Sequence, residues 1–184
     1  MKDNENKFAP NLTPKQVFKA GAFGGTYFRP IHSSVTGKKY TANQVTKEYP
    51  KSWFKNLDKE KMITSSAYDK KINKYGVKCG SSLEAWEKSD WIVKQDPYGW
   101  FQWYCRYYIG RRGADDERQI KRWLSITGPK GRFRRRLMNE IIKKKTRYND
   151  YSVSPVIRQV LLHWGYELTK KDLATYKRDL KKKS

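Results

Sequence analysis

Residues 100–108 form the segment that most restricts how this chain can fold. Their sequence is Trp-Phe-Gln-Trp-Tyr-Cys-Arg-Tyr-Tyr, and Pro97 and Gly110 flank it on either side. If the segment is helical, its rings cover most of the circumference, and a single core-facing stripe cannot hide them all. Aromatic side chains dominate the interior of most cores, so the pattern favours a central helix that is buried on most of its sides.

The charge of the chain indicates a polyanionic partner. Lys and Arg number 41 against 18 Asp and Glu among 184 residues, which gives a formal net charge of +23. Self-repulsion of this size lowers stability, and nucleic acid is the commonest partner that explains it. Disordered basic tails lack aromatics, whereas 15% of this chain is Phe, Trp or Tyr, so we expect it to fold. Basic residues outnumber acidic ones by 23 to 8 from Pro97 onward, which places the predicted binding surface in the second half.

The composition also argues against several other classes of protein. No apolar run approaches the ~20 residues that span a bilayer, and the mixed-charge N-terminus lacks the apolar stretch of a signal peptide. Cys79 and Cys105 are too few for a disulfide scaffold or a zinc site, and His32 and His163 have no ligands at metal-binding spacing. We therefore expect an intracellular protein of the nucleus, the cytoplasm or a virion, with no membrane span, metal or cofactor.

Length and pattern predict one compact domain over residues 11–180, between a disordered N-terminus at 1–10 and a basic tail at 181–184. Thr13-Pro14 predicts a short helix that ends near Gly21, and the β-forming residues around Thr36-Gly37-Lys38 predict a hairpin. The segment from Asn43 to Gly80 has no sustained period and predicts irregular structure, followed by a short helix from Leu83.

Residues 97–180 form the basic helical part of the predicted domain. Apolar residues at helical spacing, capping residues and glycine stops predict five helices there. They run from Tyr98 to Ile109, after Ala114–Glu117, after Gly128–Gly131, from Ser154-Pro155 to Gly165, and from Thr169 onward. The predicted fold class is therefore mainly α with a small N-terminal β element (α+β), as a single compact helical domain.

Five cations lie at the start of a predicted helix, where the helix dipole makes positive charge unfavourable. Lys130, Arg132, Arg134, Arg135 and Arg136 lie in the loop and first turn of a predicted helix, at the positive end of the macrodipole. A phosphate at that helix end would resolve the conflict, because it would accept backbone N–H groups and meet the flanking charges. The alternative is a solvated charge run with no ligand.

Other candidates for nucleic-acid contact surround the aromatic segment. Some of its rings could stack on bases, with an arginine beside them for the phosphate. Two further arginines follow the segment directly, where capping of the negative helix end explains them equally well. The stacking candidates are Trp100, Trp103, Tyr104 and Tyr107, and the arginines are Arg106, Arg111 and Arg112. The acids Asp115, Asp116 and Glu117 could suggest a nuclease metal site, but a helix N-terminus attracts such residues, which favours a structural role.

The segment from Trp123 to Leu137 resembles a helix-hairpin-helix, a family of motifs that bind the DNA backbone. Gly128-Pro129-Lys130 matches the second glycine of the motif and the positions after it, whereas Ile126 stands where the family has a glycine. In DNA glycosylases with this motif, a hairpin lysine forms a Schiff base and an aspartate about twenty residues later assists. The resemblance would assign these roles to Lys130 and Asp150.

Three hypotheses for function follow. The first is a non-enzymatic nucleic-acid-binding protein, with DNA slightly favoured over RNA because the basic residues lie on helices and a hairpin. The second is an enzyme that acts on nucleic acid, a glycosylase or nuclease, which predicts a pocket where aromatic rings converge with a carboxylate. The third is a basic module that binds acidic proteins or ribosomes.

Overall fold

A computed structural model describes residues 7–182 and shows a mainly α protein with one small antiparallel sheet. Nine α-helices lie within these residues, and the longer ones come after residue 97, as predicted. The helices are α1 (Pro14–Lys19), α2 (Ala42–Thr46), α3 (Lys59–Met62), α4 (Leu83–Lys88), α5 (Trp100–Tyr108), α6 (Asp116–Ile126), α7 (Arg132–Lys143), α8 (Pro155–His163) and α9 (Lys170–Lys181). The strands are β1 (Ile31–Ser33) and β2 (Lys38–Tyr40).

The N-terminal third follows local signals that the sequence carries. Thr13 caps α1 in a reciprocal capping box with Gln16, and the predicted hairpin forms with Ile31 opposite Tyr40. The prediction of irregular structure from Asn43 to Gly80 is wrong in part, because this segment contains α3, most of α2 and two 3-10 turns. A second capping box starts α2 at Thr41, and the side chain of Asp58 caps α3.

Helix α5 is central, as its ring of aromatic residues predicts. Trp103 and Cys105 have no exposed surface, and Phe101 is 1% exposed. The core around α5 draws on residues from Val17 to Leu162. Phe8 belongs to the segment predicted to be disordered, yet its ring packs edge-on against Trp103 at a centroid distance of 5.6 Å. Residues 1–6 of that segment lie outside the described residues.

Helices α7, α8 and α9 enclose a second apolar cluster, in which Leu137, Ile141 and Leu161 are almost fully buried. The predicted side-chain cap at Ser154 is not observed. Ser154 has a left-handed φ of 53°, its side chain caps nothing, and its carbonyl accepts the Arg158 N–H instead. The predicted basic tail begins inside α9, whose last residue is Lys181, and residues 183 and 184 lie outside the described chain.

Candidate nucleic-acid interface

A tight turn joins α6 to α7 and exposes Pro129, Lys130 and Arg132 at the start of α7. The Gly131 N–H donates to the Gly128 carbonyl at 2.7 Å, and Gly128 donates back to Trp123. A Cβ at Gly128 would lie 2.6 Å from the Leu124 carbonyl oxygen, and one at Gly131 would lie equally close to Ile126 backbone. Both positions therefore require glycine. Gly131 is the N-cap and has no side chain, so no side-chain cap occupies the first N–H groups of α7.

Four cations surround this helix end without a carboxylate partner. All of them are exposed, and among residues 7–182 none has a carboxylate oxygen within 4 Å. These four, here called the basic turn, are Lys130, Arg132, Arg135 and Arg136. The structure thus brings together four of the five cations that the sequence singled out at this helix.

The fifth cation, Arg134, points to the interior and is engaged. Its guanidinium pairs with Asp172 and lies 4.8 Å from the centroid of the Tyr166 ring, while the Tyr166 hydroxyl donates to the same carboxylate at 2.7 Å. Arg134 is therefore a link between α7 and α9, and its predicted phosphate contact is not supported by its position. The physical reason is its place on the buried face of α7.

The arginines around α5 are engaged as well. Asp96 has no exposed side-chain surface, and it accepts from Arg111 at 2.8 and 2.7 Å and from Arg106 at 3.0 Å. Arg106 also forms a two-pronged contact with Glu48. Burial by itself would lower the pKa of Arg106, but Tyr49, Glu48 and Asp96 together outweigh it and raise that pKa. Both arginines thus fasten the chain before α5 to its C-terminal end.

Arg112 takes the capping role that the sequence offered as an alternative. Its guanidinium donates to the Tyr107 and Arg111 carbonyls at 2.8 Å each, and it lies 3.6 Å from the centroid of the Tyr107 ring. The Tyr107 carbonyl belongs to the C-terminal end of α5, where a cation is stabilised, whereas Arg111 follows the helix. Arg112 remains exposed to solvent in this position.

Three of the four predicted stacking rings belong to the core. Trp103 and Tyr104 are 0% and 3% exposed, so they offer no face to a base, and Tyr107 is partly covered by Phe8 and Arg112. Trp100 is 7% exposed and is among the residues that line the cleft described next. The acids that follow are structural too. Asp116 is buried and accepts from the Trp103 indole and from the Gly113 N–H, both at 2.8 Å. No group of three or more metal-ligating side chains occurs among the described residues.

The aromatic surface that is accessible lies elsewhere, in a cleft that the sequence did not indicate. The cleft has a large lobe of about 580 Å³ and a small lobe of about 300 Å³, and eight residues line both. Exposed or half-exposed rings in the large lobe are those of Trp86, Trp91, Phe133 and Trp164. Four regions of the chain meet in this lobe, namely the segment 23–27, the segment 79–101, the end of α6 with the start of α7, and the second half of α8. The sequence contains one hint of this surface, since Trp91 follows the polar residues Ser89 and Asp90.

Arg122 stands in the wall of this cleft between two tryptophans. Its guanidinium lies 5.6 Å from the ring centroid of Trp91 and 5.4 Å from that of Trp164, and it donates to Gln119 at 3.0 Å. Burial, and then the neighbouring Arg118, lower the pKa of Arg122 to about 10. No carboxylate of the described residues lies within 4 Å of it, so an anion entering the cleft would stabilise its charge.

The two lobes meet at Cys79 and His163. The His163 Nε2 accepts the Phe23 N–H at 3.1 Å, which assigns the ring proton to Nδ1, 3.5 Å from the Cys79 sulfur. Burial lowers the pKa of His163 to about 3 and raises that of Cys79 to about 12. Both groups are therefore neutral near pH 7. An activated cysteine needs the opposite shift of its pKa, so the geometry describes a structural pair.

The two residues assigned by the glycosylase resemblance do not line the cleft. Lys130 is exposed in the turn, whereas Asp150 lies in the loop between α7 and α8. The Asp150 carboxylate accepts from the hydroxyls of Thr146 and Ser152, at 2.7 and 2.6 Å, and these bonds lower its pKa. Asp150 thus organises its own loop.

No family model, curated protein or solved structure matched this chain. Inference about function therefore depends on the residues themselves. None of the described helices is both long enough and apolar enough to cross a membrane.

Proposed function

We propose that this protein binds nucleic acid, with DNA ahead of RNA, and that the basic turn contacts the phosphate backbone. The observation that carries the proposal is the set of four exposed cations at the positive end of α7, none with a carboxylate partner among the described residues. Placing such charges at a helix N-terminus lowers helix stability, and a bound phosphate reverses that effect. Phosphate contacts of this kind fix a protein on its ligand without specifying the base sequence.

The rest of the molecule supports a binding role through its uncompensated charge. Of the 41 Lys and Arg in the chain, all but Lys2 and Lys183 lie within residues 7–182, and only six of these 39 pair with carboxylates there. The proposal does not extend to catalysis, because Lys130 and Asp150 stand apart from the cleft. A nucleic-acid partner would place the protein in the nucleus, the cytoplasm or a virion.

A salt titration of binding tests the proposal. The affinity for single-stranded DNA, duplex DNA and RNA is measured by fluorescence anisotropy over a range of NaCl concentrations. The test variant changes Lys130, Arg132, Arg135 and Arg136 together to Ala. Since log K falls with log salt by ~0.9 per phosphate contacted on a duplex, we expect the variant to reduce the slope by about 3 to 4.

A matched variant controls for net charge. It changes Lys38, Lys39, Lys47 and Lys51, which are all exposed outside the basic turn, to Ala. We expect this control to lower the affinity less and to leave most of the slope intact. Equal effects of the two variants would overturn the assignment of the basic turn, and a parent protein with no salt dependence would overturn nucleic-acid binding itself.

A further inference from the structure

We propose that the cleft binds one unpaired nucleotide, with its base against the aromatic rings and its phosphate near Arg122 and Arg132. This inference depends on the proposed nucleic-acid binding. It assigns a site to the base, whereas the basic turn contacts only the phosphate backbone. It also shifts the stacking surface from the rings of α5 alone, where the sequence placed it, to a site built from four separate regions of the chain.

The shape of the cleft suits a flat ligand. Its large lobe of about 580 Å³ falls within the range of small-molecule sites. Trp91 is 46% exposed, and Trp86, Phe133 and Trp164 each keep a smaller exposed part. Aromatic side chains in such positions stack on any of the bases, because every base has a π face.

The charge of the cleft selects an anionic ligand. Arg122 and Arg132 line the large lobe, Arg29 and Lys78 line the small lobe, and no Asp or Glu is among the described lining residues. Apolar peptides and neutral lipids satisfy the rings but not the unpaired cations. A nucleotide satisfies both, since it joins a planar base to a phosphate.

The cleft is continuous with the basic turn. Arg132 belongs to both, and its guanidinium lies 5.1 Å from the ring centroid of Phe133, which also lines the cleft. A strand whose phosphate contacts the end of α7 therefore has its neighbouring nucleotide at the mouth of the cleft. A base inside a duplex cannot enter, so the ligand of the cleft is a base that is unpaired or has left the stack.

Two DNA duplexes that differ at one position test this inference. Each contains a single-nucleotide bulge, which carries a base in one duplex and is abasic in the other, so that the number of phosphates is the same. Affinities are measured for the whole protein at one salt concentration. We expect the bulged base to increase the affinity about tenfold over the abasic bulge, the effect of one stacked base.

Variants locate the effect. Trp91→Ala removes an exposed ring of the cleft, and we expect it to reduce the ratio of the two affinities to near one. Tyr108→Ala is the control, because Tyr108 is 50% exposed and does not line the cleft, and it leaves the ratio unchanged. Salt-dependent binding with equal affinities would overturn the cleft inference alone. A ratio that persists in Trp91→Ala would also overturn it, whereas the absence of binding to both duplexes would overturn backbone binding too.

Discussion

Burial separates arginines that are neighbours in the sequence. Arg134 lies three positions before Leu137 and seven before Ile141, so it shares the buried face of α7 and meets Asp172. Arg135 and Arg136 lie on the opposite side, exposed and without carboxylate partners among the described residues. A phosphate ligand therefore has access to Arg135 and Arg136 but not to Arg134, although all three arginines are consecutive in the sequence.

The neutral His163 gives the stability of the protein a pH dependence. Its pKa is about 3 when folded and ~6.5 in an unfolded chain. Between these values the unfolded state binds more protons. The stabilisation is thus fully present above pH ~6.5 and decreases as the pH falls, with a limiting slope of about 1.4 kcal/mol per pH unit. Urea denaturation at several pH values between about 5 and 7 measures this slope.

The variant His163→Gln isolates the contribution of the imidazole. Glutamine retains an oxygen that can accept the Phe23 N–H, but it does not titrate. We expect the variant to be less stable than the parent at pH 7 and to lose most of the slope above pH ~5, below which carboxylates dominate. If parent and variant have the same slope in this window, His163 is not the group responsible.

At the level of elements, cations at the start of α7 and at the end of α9 have opposite electrostatic effects. Arg132 occupies the first position of α7, and Arg178 lies in the last turn of α9. We expect Arg132→Glu to raise the free energy of unfolding by about 0.5 kcal/mol and Arg178→Glu to lower it by a similar amount. Both changes alter the net charge equally, so the difference between them reports the helix dipoles.

Denaturation and binding experiments on these two variants give opposite rankings if α7 holds a phosphate. Arg132→Glu is then more stable but binds nucleic acid more weakly, whereas Arg178→Glu is less stable and retains binding. A loss of stability in Arg132→Glu would show that Arg132 makes a stabilising contact within the protein.

Local signals account for the elements that the sequence predicts correctly. Thr13 and Thr169 cap their helices, and the glycines at 110 and 165 follow α5 and α8 with positive φ, so each boundary is set by nearby residues. The missed helix α2 also has a local signal, the capping box from Thr41 to Gln44. The burial of Arg134 could have been inferred from its spacing to the apolar positions of α7.

The cleft could not be predicted in the same way. Its walls come from Phe23, Trp91, Arg122 and Trp164, which are brought together by tertiary packing and share no sequence period. The ring pattern of α5 predicts burial, and it therefore could not identify which other rings stay accessible. Charge density predicted the region of the basic turn, because electrostatic conflict at a helix end is a local property.

At the scale of the whole molecule, we expect self-repulsion to outweigh the attraction within ion pairs. Residues 7–182 contain seven ion pairs, whereas the whole chain has a formal net charge of +23. Salt screens repulsion between exposed charges more strongly than it weakens buried pairs such as Asp96 with Arg111. We therefore expect the free energy of unfolding to rise on the order of 1 kcal/mol between low salt and about 0.5 M NaCl, a shift of about 2–4 °C in Tm.

The lysine control variant separates screening from general effects of salt on the solvent. Changing Lys38, Lys39, Lys47 and Lys51 reduces the net charge by four without touching the basic turn. If self-repulsion causes the salt effect, this variant is more stable than the parent at low salt and gains less on addition of NaCl. Stability that falls with salt would instead mean that ion pairs outweigh repulsion, and the charge would then need no polyanionic partner to explain it.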